Sequence, residues 1–173
     1  MLSVKRISQF LIDNRQRITL VLFITYCLFI IYYTLLCREV GYEHAADLRL
    51  MWAYREMFSG HPEWKEDVLQ NILNIVFFIP YGLFFPKSLL FHINLFRSKP
   101  WQGILLSGIL FSLFVELTQY MFCLGLCELD DVICNGLGAV IGYGLFRCFL
   151  LCLLKYKDLK GMKDKSDMKE LDE

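Results

Sequence analysis

No C-x-x-C pair occurs in this chain, although it carries seven cysteines. The usual signature of a zinc knuckle or a thioredoxin-like redox pair is therefore missing. No basic residue lies between Trp101 and Arg147, and no basic helix stands clear of the charges that flank hydrophobic runs, so nucleic-acid binding has no footprint. No internal repeat is visible at periods of about 20 to 50 residues. Proline interrupts one hydrophobic run and not its counterpart in the other half, which argues against the broken inverted repeats of many transporters. A recognisable nucleophile and any conventional hydrolase or kinase motif are also absent. The formal net charge is zero, but that balance hides an uneven distribution along the chain.

What the chain has in quantity is apolar surface. Hydrophobic residues make up 56% of 173 positions, with a mean hydropathy of +0.44. Four stretches are long enough to cross a bilayer, at about 18–37, 68–86, 101–123 and 132–154, where a spanning helix needs roughly 20 apolar residues. They predict an all-α polytopic protein with a four-helix transmembrane bundle. The first run ends in Leu35-Leu36-Cys37 with no small-residue cleavage site, so it reads as an uncleaved anchor. Bulky Leu36 equally argues against lipidation of Cys37. Cys27, Cys134, Cys148 and Cys152 fall inside the runs and act as small apolar residues. Cys123 and Cys127 flank a short loop at a spacing that leaves a bridge open.

Lysine and arginine gather on the cytoplasmic side of membrane proteins. Lys5, Arg6, Arg15 and Arg17 precede the first run, Lys87, Arg97 and Lys99 separate the second from the third, and Arg147 and several lysines close the fourth. The opposite side holds Arg38, Arg49, Arg55 and Lys65. Both termini are thus expected in the cytoplasm. Residues 1–17 are expected to form an amphipathic cytoplasmic N-terminus, 18–154 the transmembrane domain with an outer segment at 38–66, and 155–173 a charged, unstructured cytoplasmic tail. Trp52 and Tyr54 beside Arg49 and Arg55 predict a short interfacial helix in the outer segment. Pro80 and Gly82 predict a kink in the second span.

The expensive residues are the polar ones inside these runs. Asn71 and Asn74 share a helix face, Glu116 and Gln119 repeat that spacing, and Asp131 and Asn135 lie one turn apart. Gly108 and Ser112 lie on the Glu116 stripe; Gly138 and Gly142 continue the Asp131 stripe. Small residues let membrane helices approach closely. All three polar groups fall near the outer ends of their runs, so they are expected to converge on one site around Glu116. Asp130 and Asp131 also suit the start of a helix, where carboxylates complement free amides.

The segments NILNIVFFIPYGLFFP at 71–86, SLFVELTQY at 112–120 and ELDDVICNGLGAVIGYG at 128–144 together resemble the VanZ-like membrane proteins, named for an accessory protein of glycopeptide-resistance clusters. The resemblance reaches back through RLMWAYRE and covers about residues 38–147. It assigns recurrent positions to Asn74, Pro80, Gly82, Glu116, Gln119, Asp131, Asn135, Gly138 and Gly142. Many members carry an arginine shortly before the aspartates, at a place that corresponds here to Gly125. If that arginine binds an anion, this chain uses another residue, such as Arg49 or Arg55, or lacks the function. The family link implies a role in low-level teicoplanin resistance or envelope physiology. No cofactor is expected.

Two functions follow from these residues. In the first, a non-catalytic protein binds a membrane lipid or other amphiphilic ligand at the outer leaflet through Asn71, Asn74, Glu116, Gln119, Asp130, Asp131, Asn135, Arg49 and Arg55, with Pro80, Gly82, Gly138 and Gly142 as structural positions. In the second, Glu116 is a catalytic acid or base acting on a lipid or prenyl phosphate, and Asp130 and Asp131 hold a divalent cation, which favours oxygen ligands. A small transporter or channel ranks third. The oligomeric state is not legible.

Overall fold

Each of the four apolar runs forms a helix in the computed structural model, which describes residues 14–41, 43–60, 64–85 and 98–171. Of the expected amphipathic N-terminus, residues 1–13 lie outside the described positions. Helix α1 spans Arg15–Ile31 and passes into a wider π-helical turn, Tyr32–Leu36. Strand β1 (Ala45–Asp47) and helix α2 (Trp52–Ser59) follow, then α3 (Trp64–Phe84), α4 (Pro100–Met121), β2 (Leu126–Glu128) and α5 (Leu129–Leu171). The four spans are Gln16–Leu36, Trp64–Phe84, Pro100–Met121 and Leu129–Tyr156. The shortest, at 21 residues, reaches about 31 Å at 1.5 Å per residue, the thickness of a hydrocarbon core.

The pattern of burial is that of a protein solvated by lipid. Val21, Leu28, Leu73, Leu110, Leu117 and Leu145 are exposed, whereas Asn71, Ser112, Glu116, Gln119, Asp131 and Asn135 are buried. Water would reverse that choice; hydrocarbon favours it, because an unpaired polar group outside the bundle has no partner there.

With lipid outside, the helices are held by close approach and internal hydrogen bonds. A Cβ at Gly138 or Gly142 would collide with the backbone carbonyl of Ile75 or Ile79, and one at Gly82 would collide with that of Ala139. Thus α3 and α5 touch backbone to backbone. Gly108 plays the same part on α4, facing the Ala139 methyl and Gly136. On the other flank of α3, aromatic rings fill the space: Phe23 lies 5.1 Å from Tyr81, and Tyr81 stacks on Phe111 at 5.5 Å. Helix α3 runs through Pro80, whose missing N–H loosens the preceding turn. In that turn the Tyr26 hydroxyl donates to the Phe77 carbonyl.

Strands β1 and β2 pair in parallel, with Ala45 opposite Leu126 and Asp47 opposite Glu128. The N–H of Gly41 extends the link by donating to the Cys123 carbonyl at 2.6 Å. This pairing fastens the first connection to the third and brings the end of α1, the start of α3, the end of α4 and the start of α5 to one end of the bundle, called here the sheet end.

All seven cysteines are free thiols, including Cys123 and Cys127. The chain divides into two compact units, Met1–Tyr143 and Gly144–Glu173. The expected unstructured tail is instead helical: α5 continues through Leu171. Lysine, leucine, methionine and glutamate are good helix formers, and a helix already nucleated by its apolar turns extends without a second nucleation cost.

Candidate functional site

At the sheet end, α1, α3, α4 and α5 enclose a cavity of about 30 Å³ lined by Ile30, Thr34, Arg38, Asn74, Phe77, Phe78, Val115, Glu116, Gln119, Asp131 and Asn135. The structure therefore brings together Asn74, Glu116, Gln119, Asp131 and Asn135, the five residues whose spacing predicted convergence. The lining mixes the apolar side chains of Ile30, Phe77, Phe78 and Val115 with carboxyl, amide and guanidinium groups.

Local structure explains why each side chain is held. The wide turn at the end of α1 leaves the Thr34 carbonyl available, and Gln119 Nε2 donates to it at 3.0 Å. Asn74 Nδ2 donates to Asp131 Oδ1 at 2.5 Å, linking α3 to α5. Asn135 Nδ2 donates to Ser112 Oγ at 2.8 Å, one turn from Glu116 on α4. The Glu128 N–H, at the end of β2, donates to Glu116 Oε2 at 3.1 Å. Glu116 is 3% exposed, so this strand amide is a substantial part of what replaces water around it. Interhelical hydrogen bonds of this kind contribute about 0.6 to 2 kcal/mol each in membranes.

Four proposed binding residues lie elsewhere. Asp130 is buried and its Oδ1 accepts the Met51 N–H at 2.5 Å. It fastens the residue preceding α2, which adopts a positive φ of 52°. Asn71 is buried but does not line the cavity, and its Nδ2 has no partner. Arg49, expected at the front of the site, is ion-paired with Asp47 at 2.5 Å and lies over the Trp52 ring at 5.2 Å. Its hydrogen bonds hold the Asp47 carboxyl below its usual range. Arg55 is exposed and likewise absent from the lining.

The guanidinium in the cavity belongs to Arg38, a residue outside the set expected to form the site. It lies against Gly125, where a Cβ would collide with Nη1. Gly125 also has a φ of 153°, a region that side-chain-bearing residues rarely enter. Glycine at 125 thus admits a guanidinium from position 38. The Arg38 charge acts on both Glu116 and Asp131. Its sequence signal was its place directly after an apolar run, at the end of the bundle that carries the carboxylates.

A second residue outside that set is Glu128. Gln70 Nε2 donates to its Oε2 at 2.7 Å, and the Trp52 side chain is also bonded to it. Burial, with the Asp131 charge beside it, pushes the Glu128 carboxyl up to about 7. Among the described residues, no group of three or more His, Cys, Asp or Glu side chains is arranged to hold a metal ion.

Neither a curated protein nor a solved structure matches the chain. A family model described as VanZ/LLP1 matches residues 23–152. That match takes in the first span from Phe23, the second and third spans whole, the fourth up to Cys152 and every residue lining the cavity, and the chain is a multi-pass membrane protein of the VanZ/LLP1 family.

Proposed function

We propose that this protein binds an amphiphile through the cavity at the sheet end, with that end facing the outer leaflet and both termini in the cytoplasm. The carrying observation is that Arg38, two carboxyl groups and three amides meet in one cavity inside a bundle whose outward side chains are aliphatic. A polar group enters the cavity while its hydrocarbon remains beside the lipid-facing helices, so no chain-sized tunnel is needed. Arg38 suits an anionic group such as a phosphate, because a guanidinium offers several N–H donors in a fixed fork. The orientation rests on the segregation of lysine and arginine along the chain.

Membership of the VanZ/LLP1 family supports a role in the envelope, and low-level teicoplanin resistance is one form it takes. Occupying or redistributing a membrane amphiphile alters what a lipid-bearing glycopeptide meets at the surface. The test compares wild-type and Arg38→Ala protein for copurifying lipid and for teicoplanin susceptibility after expression. The reading expects wild type to retain phospholipid and to lower susceptibility, and the variant to lose both. Identical lipid content and susceptibility in the two strains would overturn it.

A further inference from the structure

The cavity presents an acceptor that the protein leaves unmet. One N–H of each of its three amides has a protein acceptor: Asp131 for Asn74, the Thr34 carbonyl for Gln119 and Ser112 for Asn135. In contrast, Asn135 Oδ1 is buried with no partner among the described residues, on a side chain only 7% exposed that lines the cavity. A buried acceptor left unpaired costs about 1 to 3 kcal/mol, so an occupant that donates a hydrogen bond there is favoured. Charge points the same way. Glu116 and Asp131 line the chamber, and Glu128 and Asp130 are buried within three residues of Asp131 in the chain, while among the described residues Arg38 is the one cationic side chain in the lining. Carboxyl groups outnumber the arginine, and a carboxyl group has an oxygen to accept an N–H donor whether or not it holds its proton.

Size narrows the choice further. A volume of about 30 Å³ holds two or three water-sized groups at most. A primary ammonium fits within it, carries three donors and is positive. A trimethylammonium carries no donor and is several times larger.

We infer that the cavity takes the primary ammonium of a phosphoethanolamine-type lipid headgroup, with Arg38 at its mouth meeting the phosphate. This rests on the amphiphile reading above and names the headgroup. Asn135 Oδ1 and the Glu116 and Asp131 carboxyl groups receive the three N–H donors, and no bond is made or broken. The carboxylates set the attraction and the amide sets the donor requirement.

The experiment is native mass spectrometry of the full chain in detergent. The added lipids are phosphatidylethanolamine, its mono- and dimethyl derivatives, phosphatidylcholine and phosphatidylglycerol, all with the same acyl chains. Ethanolamine lipid is expected to be retained roughly tenfold over choline lipid, the ratio for loss of one charge-assisted hydrogen bond. Retention is expected to fall with each methyl group. Glycerophosphoethanolamine, which lacks acyl chains, is expected to compete poorly. Asn135→Leu is expected to flatten the methylation series, but the series on wild-type protein is decisive even if that variant fails to fold. Equal retention of all headgroups would overturn the ammonium assignment and leave amphiphile binding standing. Retention of no phospholipid would overturn both. Equal competition by the chain-free compound would overturn the lipid as the source while preserving the ammonium site.

Discussion

Glu128→Gln is expected to make the protein more stable at alkaline pH and to remove part of its pH dependence. In the folded chain this carboxyl ionises near 7, against an ordinary value of 4.5, because it is buried beside Asp131. Below about pH 4.5 both folded and unfolded states hold the proton, and the group contributes no penalty. As pH rises, the unfolded chain ionises first, so stability falls until the folded carboxyl also ionises near 7. The displacement corresponds to at most about 3 kcal/mol at 1.36 kcal/mol per pH unit, which solvent screening at the end of the bundle reduces to about 1 to 2. Glutamine stays neutral throughout and keeps an oxygen for the Gln70 amide and the Trp52 side chain, the two partners of Glu128. Thermal unfolding in detergent, followed from about pH 4 to pH 8, reads the difference. The two proteins should unfold together at the acid end, and the variant should be the more resistant at the alkaline end. A variant that unfolds earlier than wild type at pH 8 would refute the argument.

Gly138→Leu should prevent α3 and α5 from closing, since even a Cβ meets the Ile75 carbonyl; overpacking costs about 1 to 3 kcal/mol or more, and a size-exclusion profile shifted to aggregate is the expected readout. Tyr26→Phe removes the hydroxyl that bonds the Phe77 carbonyl and should lower stability by about 0.6 to 1.7 kcal/mol, checked by thermal unfolding; no loss would show that this bond does not hold α1 to α3. Met51→Gly relieves a positive φ and should stabilise by about 1 kcal/mol, whereas destabilisation would mean that the methionine side chain outweighs the strain.

Reading the residues alone located the spans because length and apolarity are local properties, and it grouped Asn74, Glu116, Gln119, Asp131 and Asn135 because helical spacing places each set on one face. The parallel strands were hidden: each has three residues, too short for a period-two pattern, and their pairing joins positions 45–47 to 126–128. The same non-local step hid Glu128, whose N–H reaches Glu116 only because β1 holds β2 over the helix ends. Arg38 was overlooked in favour of Arg49 and Arg55, which sit beside aromatic residues in the sequence. Asp47 is two residues from Arg49 and captures it, whereas glycine at 125 opens a path for Arg38. The helical course beyond Lys155 was misjudged from its charge content, which obscured its helix-forming composition.

The central claim, that a lipid headgroup enters the cavity, is tested most directly by solid-state magnetic resonance of the protein in bilayers containing ethanolamine lipid labelled with ¹⁵N. Carboxyl carbons of the protein are labelled with ¹³C. Through-space transfer from the headgroup nitrogen to the Glu116 and Asp131 carboxyl carbons, within about 4 to 5 Å as hydrogen bonding requires, is the predicted result. Transfer to exposed acidic side chains with none to Glu116 or Asp131 would contradict it.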